Sequence, residues 1–222
     1  MIRFVTGALA FFCLAAALLP GRSQTTPPAP KQLPPVKNEA LRQELLHRYK
    51  VDQDARMKFL DWMRQQRVPF DAKTWQKTDV PAIKQMEAVD KDNTAWMKAV
   101  VAKYGWPGIS LVGKDGSQAA WLLVQHADRD RAFQKHCLQL MQEADKKGDV
   151  DKTELAYLTD RVLVGEHKKQ IYGTQLQQKN GEMLPSPIED EANVDKRRAA
   201  MGMEPLADYL KMSRDFYTGK KK

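Results

Sequence analysis

Apolar residues recur every three or four positions along most of this chain, which is the spacing of helices that bury one face. Five helices are predicted from this pattern, over about 38–67, 79–104, 117–127, 128 or 130 to 148, and 151–167. Asn38, Asp79 and Asp151 are suited to cap the helices that they precede. Pro69 and the Gly105–Gly108 turn end the first two helices, because proline cannot continue a helix.

The apolar period changes after the fifth helix. Residues 171–177 and 182–184 flank Asn180-Gly181, a favoured pair for a two-residue hairpin turn. Two short helices follow, over about 195–201 and 206–217. The predicted fold is therefore mainly α, a single domain of six or seven helices with a small C-terminal β-hairpin. A helical bundle without the hairpin is the alternative.

The N-terminal residues differ from the rest of the chain. The run Phe4–Leu19 is apolar throughout, too short to span a membrane comfortably and typical of the core of a signal peptide. We expect cleavage after Ser23, with an uncleaved membrane anchor as the alternative. A proline-rich linker over 24–37 then precedes a helical domain at 38–217 and a basic tail at 218–222. The protein is accordingly expected to be exported, either periplasmic or secreted.

Charge and composition exclude several classes of function. The formal net charge of +8 is modest, and no basic run alternates with aromatic residues, so a nucleic-acid partner is not expected. The histidines show no metal-binding spacing, and removal of the leader leaves Cys137 as the one cysteine. We therefore predict no metal, no cofactor and no internal disulfide. No serine lies in a hydrolase motif, and no glycine-rich phosphate loop is present.

Three motifs place polar residues among apolar ones: WLLVQHAD at 121–128, AYLTDR at 156–161 and QIYGTQ at 170–175. His126 lies four residues after Leu122, and so shares the inner face of its helix. A histidine in that position is compatible with a general base, a ligand or a satisfied core residue.

Asp160 and Arg161 lie within the apolar run LTDRVLV, where burial of a charge requires a partner. Adjacent helical residues point about 100° apart, so each of the two needs its own partner. In the structural alternative they form an ion-pair network with the first helix, through Asp52 or Arg56. In the functional alternative Asp160 orients His126 as a catalytic pair, and Arg161 holds an anionic substrate.

The QIYGTQ motif offers hydroxyl and amide groups that are able to bind a polar substrate. The predicted substrate-binding residues are Gln125, Arg161, Gln170, Tyr172, Thr174 and Gln175. Gly173 permits a bulge or the close approach of another backbone. An ordinary hairpin with a polar outer face is the alternative. The functional hypothesis requires all three motifs to converge on one solvent-accessible site.

These motifs, together with PSPIED at 185–190 and VDKRRAAMG at 194–202, resemble a family of bacterial domains of unknown function. The resemblance covers about Leu41–Tyr209 and extends to DQDAR at 52–56 and YGWP at 104–107. Members are often exported, but the family implies no catalytic residues. It draws attention to Arg197 and Arg198, which are compatible with an anion site or with a solvated helix start.

Two functions fit these observations. The first is an exported domain that binds a ligand or partner, with a buried polar cluster that is mainly structural. The alternative is an exported enzyme that acts on a small polar or anionic substrate, with His126 as general acid or base. In either case the expected ligand is small and polar or anionic, and the membrane is involved only through an uncleaved leader.

Overall fold

In a computed structural model of the protein, residues 36–66, 80–179 and 182–218 are described. They form seven α-helices and one two-stranded sheet, so the prediction of a mainly α fold with a hairpin is confirmed, and the bundle without a hairpin is wrong. The helices are α1 Glu39–Gln66, α2 Pro81–Tyr104, α3 Ile109–Gln125, α4 Arg131–Asp145, α5 Lys152–Gly165, α6 Val194–Ala200 and α7 Leu206–Thr218. The strands are β1 Leu176–Lys179 and β2 Glu182–Pro185, and a short 3₁₀ turn, Glu191–Asn193, precedes α6.

Several predictions concern residues outside the described ranges. They are the signal peptide, the proline-rich linker, the helix break at Pro69, the Asn180-Gly181 turn and the basic tail. Within the described ranges, no helix combines the length and the apolar character needed to cross a bilayer.

Helix α3 lies at the centre of the domain and packs against α1, α2, α4 and α5. Contact on several sides explains why almost every side chain from Ala119 to Ala127 is buried, whereas the other helices keep a polar face. Trp121 is nearly inaccessible and makes an edge-to-face contact with Tyr157 of α5. Cys137 of α4 is also buried, and burial raises the pKa of its thiol to about 12. The central position of α3 places its C-terminal end, with His126, deep in the molecule.

The first turn of α3 begins earlier than predicted. We expected a connector over 109–113 and a helix from Ser117, but helical structure extends from Ile109 to Gln125 with a break at Gly113. Gly113 has φ of +75°, a conformation that glycine adopts at little cost. After this break, Arg42 of α1 forms an ion pair with Asp115 and fixes the new helical segment against α1.

The C-terminal segment forms a hairpin that folds back on α5. Strands β1 and β2 are antiparallel, with Leu176 opposite Pro185 and Lys179 opposite Glu182. Just before β1, Gln170 pairs with Ile188 in an isolated parallel bridge. The loop at 170–175 is therefore held from both ends.

Glu154, in the first turn of α5, provides a prediction about pH. The Asp151 carboxylate caps this helix by accepting from the N–H groups of Thr153 at 2.8 Å and Glu154 at 3.4 Å, as the sequence predicted. Burial and the charge of Asp151 raise the pKa of Glu154 to about 8, although Lys114 opposes the shift. Because this pKa is higher in the folded than in the unfolded state, ionisation of Glu154 costs stability as pH rises above its unfolded value.

We expect Glu154→Gln to remove this cost. The variant should match the wild type near pH 4 and exceed its free energy of unfolding by several kcal/mol at pH 8.5, because each unit by which the folded pKa is raised costs about 1.4 kcal/mol once the carboxyl is forced to ionise. Thermal unfolding at several pH values measures this difference. A constant difference between pH 4 and pH 8.5 would contradict the raised pKa.

Candidate functional site

The QHAD motif connects two separate groups of polar residues. His126 ends α3 and contacts Asp52 of α1, whereas Asp128, two residues later, contacts Arg161 of α5. We call the first group the polar centre and define it as Asp52, Arg56, Asp90, Asn93 and His126. We call the second the loop network and define it as Asp128, Asp160, Arg161 and residues 170–175. The three motifs therefore do not share one set of contacts.

His126 and Asp52 form a buried pair in the polar centre. The Nδ1 atom of His126 lies 3.0 Å and 3.1 Å from the two carboxylate oxygens of Asp52. An ionised carboxylate can only accept, so Nδ1 carries the hydrogen, and in the neutral ring Nε2 carries the lone pair. This Nε2 is buried and makes no hydrogen bond with any residue that the structure describes. The pair therefore presents a proton acceptor that the surrounding protein does not use.

Arg56 fixes the position of this pair. Its Nη1 donates to Asp52 at 2.5 Å, and its Nη2 donates to Asp90 of α2 at 2.7 Å. Asp52 and Arg56 lie four residues apart and therefore share a face of α1. Three helices thus contribute charged side chains to one buried location.

The pKa values in the polar centre shift in different directions. Burial raises the pKa of Asp52, but its attraction to His126 and Arg56 outweighs burial and leaves the pKa below its usual value. Burial lowers the pKa of His126, and the positive charge of Arg56 lowers it further, against the effect of Asp52. The imidazole is therefore neutral at pH 7. Burial raises the pKa of Asp90, in spite of the adjacent Arg56.

Asn93 belongs both to the polar centre and to an adjacent cleft. Its side chain lies on the inner face of α2 and is 3% exposed. Its Oδ1 accepts from Arg48 of α1 at 3.0 Å, but its Nδ2 makes no hydrogen bond to a described residue. A buried amide needs partners for its oxygen and for its NH₂ group, and within the described ranges the oxygen alone has one.

The cleft lies between α1 and α2 and has a volume of about 360 Å³. It is lined by Glu44, His47, Arg48, Val51, Gln85, Ala88, Val89, Asp92 and Asn93. Arg48 crosses it, donating to Glu44 at 2.8 Å and to Asp92 at 2.6 Å, and its guanidinium lies over the ring of Trp96. Asp90 and Asn93 are three residues apart on α2, so the cleft and the polar centre share one helix interface.

Asp160 does not orient His126, and that part of the catalytic hypothesis is wrong. Its Oδ1 accepts from the backbone N–H groups of Ile171 at 2.7 Å and Tyr172 at 3.0 Å. Its Oδ2 accepts from the N–H and the hydroxyl of Thr174, both at 2.9 Å. Burial raises the pKa of Asp160, and these hydrogen bonds limit the rise because they favour the ionised form. The carboxylate therefore holds the loop at 170–175.

Arg161 pairs with Asp128. Its Nε donates to Asp128 Oδ1 at 2.9 Å, a second donor contacts Oδ2, and Nη1 donates to Gln175 at 3.3 Å. Asp128 also accepts from Arg131 at 2.9 Å and from Gln134 at 3.1 Å. The predicted ion-pair network with Asp52 or Arg56 is therefore wrong in its partner. Asp160 and Arg161 do have different partners, as their angular separation on the helix predicted.

The remaining predicted binding residues are mostly inside the protein. Gln125, Gln170, Thr174 and Gln175 are at most 1% exposed, whereas Tyr172 is partly exposed. Gln170 donates to the carbonyls of Gln175 at 2.9 Å and of Ser186 at 2.7 Å, and its Oε1 accepts from the Gln175 N–H at 2.8 Å. These amides complete the hydrogen bonding of the loop.

Gly173 has φ of +74°, and a Cβ atom there would lie 2.8 Å from Leu206. The close approach at this glycine therefore comes from a side chain, not from another backbone as predicted.

Arg197 and Arg198 hold the same loop from its other side. Arg197 donates to the carbonyl of Ile171 at 2.9 Å, and Arg198 donates to that of Tyr172 at 2.8 Å. Arg198 is fully buried and also donates to the carbonyl of Glu204 at 2.6 Å, so it is not part of a solvated helix start. Both guanidinium groups use donors to stabilise backbone carbonyls.

The polar centre also contains potential metal ligands. One ring nitrogen of His126 and one carboxylate oxygen each from Asp52 and Asp90 lie within 4.8 Å of one another. Sequence reasoning included His126 but did not assign Asp52, Arg56, Asp90 or Asn93 to the site. The available signals were Asp52 and Arg56 on one face of α1 and Asn93 on an apolar stripe, whereas Asp90 carried no signal.

Comparisons with known proteins place the chain in a family. The model of a family described as "Family of unknown function (DUF6624)" matches residues 39–222, which is most of the chain. No curated protein and no solved structure matches the chain.

Proposed function

Since the chain belongs to DUF6624, a family of unknown function, we propose a function from the geometry alone. The protein is a non-catalytic, exported domain that binds a small polar ligand in the cleft between α1 and α2. The loop network is structural in this proposal, since its charges and amides satisfy one another. Export rests on the apolar leader, and mass determination of the mature protein tests it by an N-terminus at Gln24.

The Asn93 side chain carries this proposal. A buried amide hydrogen without an acceptor costs on the order of 1–3 kcal/mol, and Asn93 Nδ2 is such a donor in the wall of an open cleft. A ligand that presents a carbonyl or hydroxyl oxygen recovers this energy on binding. Val51, Ala88 and Val89 supply apolar surface beside it, as ligand sites generally do.

The charges of the cleft restrict the ligand. Glu44 and Asp92 are both acidic, while Arg48, already paired with each of them, supplies one positive charge. The charges of these three side chains sum to −1, which disfavours an anionic ligand. Of the two classes expected from the sequence, the cleft therefore favours a neutral or cationic polar molecule over an anion.

A thermal-shift screen tests this proposal. The library should contain polyols, neutral amino acids and small amines on one side, and phosphorylated and carboxylated metabolites on the other. We expect a concentration-dependent rise in Tm with members of the first group. In Asn93→Ala the rise should disappear, whereas Gln139→Ala, a change on the exposed face of α4, should retain it. A rise that persists in Asn93→Ala, or that only anions produce, would contradict the assigned site.

An enzyme is the second candidate, and the unused Nε2 of His126 favours it. A neutral imidazole whose Nδ1–H is held by a carboxylate is the arrangement of a general base. In this candidate Asp52 takes the orienting role that the sequence assigned to Asp160. Incubation of the same library with the protein, followed by mass spectrometry, tests for turnover. Conversion that survives in a folded His126→Gln variant rules out this role for His126.

A further inference from the structure

We propose that Asp52, Asp90 and His126 form a binding site for one divalent transition-metal ion. This inference goes beyond the proposed ligand cleft, because these three residues do not line it. The three side chains come from α1, from α2 and from the end of α3. An ion there would join the three central helices of the domain.

The donor atoms have suitable types and separations. One ring nitrogen and two carboxylate oxygens lie within 4.8 Å of one another. The Nδ1 atom of His126 lies 3.0 Å from Asp52 Oδ1. Two ligand atoms at right angles on an ion with bonds of about 2.1 Å are also about 3.0 Å apart. The pair can therefore hold an ion between its two atoms, with the hydrogen of Nδ1 moving to the Nε2 atom of the same ring.

The charge of the polar centre favours an added cation. The carboxylates of Asp52 and Asp90 contribute two negative charges against the one positive charge of Arg56. A net charge of −1 in a mostly buried location is unfavourable unless another cation balances it. A divalent ion changes the sum to +1 and supplies ligand bonds as well as charge.

Arg56 does not block this site. Its guanidinium donates to Asp52 Oδ2 and to Asp90 Oδ1, whereas the shorter contact of His126 is with the other Asp52 oxygen, Oδ1. Gln53 donates to Asp52 Oδ1 at 2.9 Å and would remain as a supporting hydrogen bond. The Asp90 side chain is 21% exposed, so an ion has a route from solvent.

The donor set selects the kind of metal. Imidazole nitrogen suits Mn²⁺, Co²⁺, Ni²⁺ and Zn²⁺, whereas Ca²⁺ and Mg²⁺ prefer oxygen ligands alone. We therefore expect transition metals to bind more tightly than Ca²⁺ or Mg²⁺.

Titration calorimetry of the whole protein with Mn²⁺, Co²⁺ and Zn²⁺ tests the proposal. We expect saturable binding with one ion per chain. A Co²⁺ absorption spectrum should report a nitrogen ligand.

Matched variants distinguish this site from metal binding elsewhere. Asp90→Asn and His126→Gln should each weaken binding by about tenfold or more. Asp54→Asn and His136→Ala change an exposed residue of the same type and should leave binding unchanged. If the His126 variant does not fold, Asp90→Asn still tests the site, because Asp90 is partly exposed.

No saturable binding below about 1 mM overturns the metal site, and so does equal affinity in Asp90→Asn and the wild type. Neither result affects the ligand cleft, whose test depends on Asn93.

Discussion

Replacing Asp160 by asparagine is expected to lower the free energy of unfolding by about 3–5 kcal/mol, although the change is nearly isosteric. Both carboxylate oxygens accept hydrogen bonds from the loop at 170–175. Asparagine keeps one acceptor oxygen and turns an NH₂ group towards N–H groups that can only donate. The loop thereby loses a buried acceptor at the point where the chain leaves α5.

The measurement for Asp160→Asn is the midpoint of thermal unfolding, where we expect a decrease of roughly 10 °C. Hydrogen exchange should show the largest loss of protection at the amides of Ile171, Tyr172 and Thr174. Asp208→Asn, on the exposed face of α7, is the matched control and should change stability by less than about 0.5 kcal/mol. If the two variants unfold at the same temperature, the assigned role of Asp160 is incorrect.

Local sequence signals predicted most of the fold. Apolar spacing located the helices, and Asp151 capped α5 as its sequence position indicated. The exception was the start of α3, where the run from Lys114 to Ser117 resembled a turn. The helix continues there because the chain leaves helical geometry at Gly113 alone. The ion pair of Arg42 with Asp115 then stabilises the following helical segment against α1. The sequence contains both charged residues, Arg42 and Asp115, but it does not show that the fold brings them together.

The candidate site shows more clearly that the sequence does not reveal which distant residues come into contact. His126 stood out because a polar residue on an apolar face requires an explanation. Its partner Asp52 lies 74 residues away, and helical spacing relates residues only within one helix. The sequence offered Asp160 as the partner because the two motifs resembled each other in pattern, whereas packing of α1 against α3 decided the pairing.

For Arg161, in contrast, the partner Asp128 lay in a motif that the sequence had already singled out. The sequence required a separate partner for Arg161, and the QHAD motif contained it, but the motif was assigned as a whole to a single site. In the structure the end of α3 turns between His126 and Asp128, so that adjacent polar residues face different helices. A motif can therefore be one unit in sequence and serve two networks in space.

Replacing Asp52 by asparagine should have an effect of similar size, about 3–4 kcal/mol, for a different reason. Asp52 is the buried acceptor for both Arg56 and His126. In the variant, one of these donors faces the new NH₂ group, and the guanidinium of Arg56 loses Asp52 as an ionised partner while it keeps Asp90. Asp54→Asn, two residues along α1 and exposed, is the matched control.

The pH dependence of the Asp52→Asn effect shows whether Asp52 stabilises the protein through its charge or through its packing. The pKa of Asp52 is lower in the folded protein than its usual value, so its contribution to stability is present above about pH 4 and is lost as pH falls through the folded pKa. The difference in unfolding free energy between wild type and variant should therefore narrow below about pH 4. A double variant with Arg56→Met should lose less than the sum of the single variants, because each removes the other's partner. A difference that stays constant with pH, or strict additivity, would show that Asp52 acts through packing rather than through its charge.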